Sequence, residues 1–187
     1  MSESDVDPTE VELTPTGKVV LGMLALGFST GYDIKNLVDK TTRHFWAASY
    51  GQIYPELKRL EDRGLVSGRP EPTGGRARTV YDLTDAGRSA LERWLESDAE
   101  TVSESRDEGM LKLFFSDAGE PAQRIENIRS MRARDERTLA QLRSLQPHAA
   151  AGPKGPYLTL QLGIALHEAV VNWCEAAERE LGQEEKE

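Results

Sequence analysis

The chain has 187 residues, 38% hydrophobic and 29% charged, with a formal net charge of −9. That is enough for one large or two small folded, helix-rich domains. One cysteine, Cys174, excludes an internal disulfide and suits a reducing cytoplasm, while the longest apolar run, residues 19–26, is far too short to span a bilayer.

Residues 1–13 hold five acids (Glu3, Asp5, Asp7, Glu10, Glu12) and no Lys or Arg. They read as a disordered acidic tail, without the basic start and apolar core of a signal peptide. Thr14 followed by Pro15 opens the first helix, because Thr caps well and Pro suits the first helical position. Val19, Val20, Met23, Leu24 and Leu26 make it mostly buried, and Gly27 ends it. Thr30, with Asp33 three residues on, opens a second helix with Ile34, Leu37 and Val38 as its buried stripe. It should run to about Phe45, and Trp46-Ala47-Ala48 should be a turn.

Residues 49–64 form the next helix. Ser49 and Gln52 have the spacing of a capping box, in which each side chain satisfies the other's backbone N–H. Ile53, Leu57 and Leu60 share one face, and Gly64 supplies the left-handed conformation that suits a helix end. The other face carries Gly51, Pro55, Lys58 and Arg59. Pro55 lies too deep for a first turn that starts at Ser49, so local distortion is expected over residues 51–55. A short helix with one buried face, a polar start and a basic outer side suits a DNA major groove. An ordinary surface helix would show the same stripe, so the flanks decide.

After Gly64, residues 65–68 read as a short strand and residues 70–75, rich in Pro and Gly, as a turn. Arg76, Arg78 and the alternating residues 79–83 make a second strand, so a hairpin with two arginines at its tip follows the helix. Thr84 caps a further helix to about Ser97, with Ala90, Leu91, Trp94 and Leu95 apolar. Residues 14–96 carry twelve Lys or Arg against ten Asp or Glu, the only segment with a basic surplus.

A charged linker, residues 97–108, leads to a short amphipathic helix with Met110, Leu111, Leu113, Phe114 and Phe115. Pro121 starts a long helix to about Leu145, carrying Ile125, Ile128, Met131, Leu139, Leu142 and Leu145. Its middle, residues 132–137, is almost wholly charged, so contact there should be polar or absent. Residues 146–156 should be a mobile loop. A final helix over residues 157–181 places Leu158, Leu162, Leu166, Val170, Trp173 and Ala177 on one stripe, widened by Leu160 and Ile164. Two such apolar faces exceed what a small domain can bury, which predicts a second copy as their partner.

The strings TGYDIKNLV, GQIYPELKRLEDRGLV and GGRARTVYDLTDAGR, in the order helix, helix, helix, glycine-tipped hairpin, helix, resemble the PadR family of winged-helix transcriptional regulators. The shared features are Gly31-Tyr32, Ile53-Tyr54-Pro55-x-Leu57, Leu60, Gly64-Leu65, Gly75-Arg76, Tyr81-x-Leu83-Thr84 and Gly87. The resemblance covers about residues 14–97. It implies a mostly α fold: a winged helix-turn-helix domain over residues 14–97 and a helical dimerisation and effector domain over residues 98–187.

The chain is thus expected to be a homodimeric DNA-binding regulator, a repressor released by a small molecule. Ser49, Tyr50 and Gln52 would face base edges, with Tyr54 counted among the DNA contacts. Lys58 and Arg59 would lie on phosphates, and Arg76 and Arg78 on the backbone or minor groove. The resemblance implies a small aromatic or lipophilic effector, for which Trp46, Trp94 and Trp173 are the candidate lining; as large aromatics at helical spacing they also suit a core. No nucleophile–base–acid set and no phosphate loop is present, so no enzyme and no cofactor is expected. His167 and Cys174 are seven residues apart, too far along one helix to share a metal ion. The rival reading is a winged-helix protein-interaction module, which the overall acidity suits.

Overall fold

The computed structural model describes residues 12–41, 50–72, 78–97 and 106–184. It divides into two compact units, residues 1–100 and 101–187. Residues 42–49 and 73–77 lie outside the described set. With them lie Trp46, Ser49 and Arg76, while Tyr50 is described only in its backbone.

The first unit holds α1 (Pro15–Ala25), α2 (Gly31–Lys40), a 3-10 turn (Tyr50–Gln52), α3 (Ile53–Asp62), β1 (Val66–Glu71), β2 (Arg78–Leu83) and α4 (Asp85–Glu96). Its caps follow from the sequence. Thr14 Oγ1 accepts the Gly17 N–H at 2.9 Å, Thr30 Oγ1 the Asp33 N–H at 3.1 Å, and Thr84 Oγ1 the Gly87 N–H at 3.0 Å. Gly27 and Gly64 close α1 and α3 at φ +93° and +70°. In both, the next N–H reaches back five residues, Phe28 to the Met23 carbonyl and Leu65 to the Leu60 carbonyl. This is the Schellman closure that only glycine takes without strain. Val20, Leu21, Ile34, Val38, Ile53, Leu57 and Leu60 are fully buried and make the centre of the core. Each such side chain contributes about 1.5–3 kcal/mol relative to exposure.

Three local expectations change. The tail stops short of residue 13, because Leu13 is buried in the core. The described α2 ends at Lys40, not near Phe45: Thr41 leaves helical geometry at φ −127°, ψ −85°. And α3 starts at Ile53, four residues after Ser49. The 3-10 turn absorbs residues 50–52, so Pro55 becomes the third residue of α3. There its missing N–H is one of the four that a helix start leaves unpaired in any case.

The wing pairs antiparallel from Val66↔Leu83 to Glu71↔Arg78. β1 therefore runs through Pro70 and Glu71, which the sequence placed in the turn. A two-stranded sheet has only edge strands, and half of each strand's N–H groups face away from the ladder, so proline is tolerated. Three contacts fix the wing to the helices. Glu61 Oε1 accepts the Gly68 N–H at 3.0 Å, Tyr81 N–H donates to the Ser29 carbonyl at 2.7 Å, and Thr84 Oγ1 donates to the Gly64 carbonyl at 2.7 Å. Gly87 is forced by packing: a Cβ there would sit 1.9 Å from the Leu65 carbonyl oxygen.

The second unit holds α5 (Glu108–Phe114), a 3-10 turn (Ser116–Ala118), α6 (Pro121–Ala150) and α7 (Lys154–Glu184). The expected loop over residues 146–156 shrinks to residues 151–153. Pro147 falls in the last turn of α6, where it gives up one hydrogen bond near a fraying end among helix-favouring alanines. Pro156 falls in the first turn of α7, where its N–H would be unpaired anyway. The two long helices run antiparallel: Arg129 meets Glu178, Asp135 meets His167, and Leu142 lies against Gly163. Two apolar clusters form, Ile128–Met131–Cys174 and Leu139–Leu142–Ile164. Between them lies the charged middle, where contact is polar. Asp135 is buried, accepts from Arg134 at 2.9 Å and has Oδ1 2.5 Å from His167 Nδ1. Leu158, Leu162, Leu166 and Trp173 face away from α6 and stay exposed, as do Met110, Leu111, Phe114 and Phe115 around α5.

Candidate nucleic-acid interface

Ile53, Leu57 and Leu60 seat α3 in the core, and the Schellman closure at Gly64 passes directly into the wing. Gly31 completes the seat: a Cβ there would meet the Tyr54 ring at 2.7 Å and Leu57 at 3.1 Å, so Tyr54 lies across the first turn of α2. Gln52, Tyr54, Pro55 and Lys58 remain exposed on the far side.

The candidate residues stand as follows. Gln52 is the residue before α3 and makes no side-chain capping bond. Gln52 is exposed, and Ser49, its expected partner in a capping box, lies outside the described residues. Tyr54 is 55% exposed. Lys58 Nζ is 3.2 Å from Asp62 Oδ1, an exposed i,i+4 pair that phosphate can displace at little cost. Arg59 is held within the first unit. Its Nε donates to Glu56 Oε2 at 3.0 Å, and its Nη2 to Glu56 Oε1 at 2.5 Å and Thr14 Oγ1 at 3.1 Å. The guanidinium faces α1, not the open side of α3. Arg78 also has a partner, with Nε donating to Glu71 Oε2 at 2.6 Å across the wing.

Two residues were overlooked. Arg69 is exposed on β1, on the same face of the wing as Arg78, and pairs loosely with Asp82 at 3.5 Å. It was hidden by ending the strand at Gly68; a basic residue beside the hairpin arginines was the signal available. Glu56 is the other: 8% exposed, it is the one buried acid of α3. Burial pushes its carboxyl up. Hydrogen bonds from Arg59 and Thr14, with the charges of Arg59 and Arg63, outweigh that and hold it below the ordinary carboxylate value.

The described aromatic candidates lie on different elements. Trp94 lies on α4 with Lys18 Nζ 5.6 Å above its ring, Trp173 lies on the outward face of α7 in the second unit, and Trp46 lies outside the described residues. Among the described residues no group of three or more His, Cys, Asp or Glu is arranged to hold a metal ion, and no helix is long and apolar enough to cross a membrane. Burial pushes the Cys174 thiol up.

Known proteins share both halves. Residues 20–93 match the profile of the transcriptional regulator PadR-like family, and residues 105–182 that of the virulence activator alpha C-terminal family. The negative transcriptional regulator PadR of Bacillus subtilis (strain 168) is 29% identical over 167 residues, spanning 84% of this chain and 92% of its own length. The crystal structure of B. subtilis PadR in complex with operator DNA is similar at a TM-score of 0.79 and 28% identity, covering 88% of this chain and 97% of that one. The same protein in complex with p-coumaric acid is similar at a TM-score of 0.74 and 26% identity, covering 94% and 98%.

Proposed function

Carrying a PadR-like family domain and homologous to the PadR-like winged-helix regulators, the chain is a DNA-binding transcriptional regulator, and we propose that it works in the cytoplasm as a homodimeric repressor released by a small effector. The observation that carries the reading is α3. Its core side is fully seated, its closure is tied to the wing, and its exposed side offers Gln52, Tyr54 and Lys58 at a helix start. Gln52 pairs with a base edge, most simply adenine, which offers an acceptor and a donor side by side. Lys58 gives up Asp62 for a phosphate. Arg69, Arg76 and Arg78 track the backbone from the wing, with Ser49 and Tyr50 beside Gln52.

Dimerisation is assigned to the second unit, because the row of Leu158, Leu162, Leu166 and Trp173 on α7 is exposed among the described residues. A two-fold dimer presents two α3 helices to two half-sites about 34–36 Å apart. Repression is proposed because the B. subtilis relative is a negative regulator. A small aromatic acid is proposed as the effector class because that relative was crystallised with p-coumaric acid. The rival reading as a protein-interaction module finds no support in a relative bound to operator DNA.

Selection of duplexes from a random pool tests the reading. It should enrich one sequence with two inverted half-sites, and adding p-coumaric acid should release the bound duplex. A pool that stays unenriched would reject the DNA-reading role.

A further inference from the structure

The Glu56–Arg59 pair lies where a recognition helix would be expected to spend its basic residues on DNA. Instead the carboxylate is buried against the start of α1. Thr14 Oγ1 donates to Glu56 Oε1 at 2.7 Å while it accepts the Gly17 N–H, so one hydroxyl joins the cap of α1 to the flank of α3. Arg59 closes the triangle by donating to both partners. The socket is shaped for the acid: a Cβ on Gly17 would stand 2.7 Å from Glu56 Oε1 and 3.1 Å from Thr14 Oγ1. The first turn of α1 has no acid of its own, and a carboxylate placed there from α3 meets the positive end of the α1 dipole. Core packing by Ile53, Leu57 and Leu60 fixes how deep α3 sits. Apolar contacts resist rotation about the helix axis weakly, whereas directional bonds from a flank resist it well.

We propose that Glu56 is a positioning residue for DNA recognition: by clamping Arg59 onto the cap of α1 it sets the rotation of α3 and withholds Arg59 from the phosphates. The proposal rests on α3 being the DNA-reading helix. Loss of the clamp has two consequences. The exposed residues of α3 lose their register with the bases, and a free guanidinium is added to the DNA-facing surface.

The test uses the full chain, the duplex selected by the wild type and a scrambled duplex of equal length. Anisotropy titrations at several salt concentrations give affinity, specificity ratio and salt slope, and a thermal melt is run beside them. Glu56→Gln should bind the scrambled duplex at least as tightly as the wild type, with a salt slope steeper by about one counterion. Its specificity ratio should fall about tenfold, the scale of one misplaced base contact. Arg59→Met should lose the ratio similarly without a steeper slope, and the double variant should be no worse than Arg59→Met alone. A Glu56→Gln protein that keeps the wild-type ratio and slope, whatever its melting temperature, overturns the proposal. So does an Arg59→Met protein whose slope drops by one, since Arg59 would then lie on a phosphate in the wild type. If Glu56→Gln does not fold, the Arg59→Met ratio decides alone, and an unchanged ratio overturns the proposal. A wild type that fails to discriminate the two duplexes removes the DNA-reading premise itself, an outcome distinct from the others.

Discussion

Leu162→Glu probes the assembly most sharply. Leu158, Leu162 and Leu166 are 56%, 60% and 58% exposed on the outward side of α7. Fully burying a leucine is worth about 1.5–3 kcal/mol, so covering the exposed part of each contributes roughly 1–2 kcal/mol. In a two-fold interface each residue counts twice. Three leucines on two protomers then supply about 5–10 kcal/mol. A micromolar dimer needs about 8 kcal/mol net of the cost of association, so Trp173 and the apolar residues of α5 must add to the leucines. Removing Leu162 from both copies forfeits roughly 2–3.5 kcal/mol and weakens dimerisation at least about 30-fold. The new carboxylates add a desolvation cost to that. Sedimentation velocity across a concentration series reads the dissociation constant. Because Leu162 is mostly exposed within the chain itself, the melt of the dissociated chain should hardly change. An unaltered dissociation constant would show that this face of α7 is not the interface.

Five further perturbations have defined outcomes. Gln52→Ala should cost about 1–3 kcal/mol on the selected duplex and little on scrambled DNA if the amide reads a base, whereas an earlier melt with an unchanged specificity ratio would assign Gln52 to capping Ser49; Lys58→Ala should weaken both duplexes alike and reduce the salt slope by about one. Gly87→Ala should destabilise the first unit by about 1–3 kcal/mol or more, read by urea unfolding, because the new methyl meets the Leu65 backbone and not a movable side chain. Deleting residues 1–11 should leave DNA binding intact or slightly tighter at low salt, while a cut after residue 13 should also lower the melting temperature by removing buried Leu13. Glu56 has a folded-state pKa below its ordinary 4.5, so its contribution is complete above that value and is lost as pH falls through the lower one; Glu56→Gln should therefore flatten the acid limb of stability against pH, and an unchanged limb would count against the clamp.

Signals that act over three or four residues were legible in the sequence. Thr14 with Pro15, Thr30 with Asp33, Thr84, Gly27 and Gly64 each do locally what their chemistry suggests, and the buried stripe of α3 lies where its spacing places it. What the sequence did not show depends on partners far along the chain. Arg59 reads as a free cation until Thr14, 45 residues away, comes into contact with it. Glu56 reads as a surface acid, since nothing local says that Gly17 leaves room for it. Pro70 and Pro147 read as breakers because the rule concerns central strands and helix interiors, and here one lies on an edge and the other in a last turn. The stripe of α7 was read as one broad face; it is two, with Ile164 and Cys174 turned to α6 and Leu158, Leu162 and Leu166 turned away.

The central claim is that α3 and the wing read a DNA sequence. Its most direct test is the affinity of the full chain for its selected duplex and for a scrambled one, measured from about 50 to 200 mM salt. The account predicts a preference of about a thousandfold or more at physiological salt, with both affinities falling steeply as salt rises. Equal affinity for the two duplexes, or binding indifferent to salt, would contradict it.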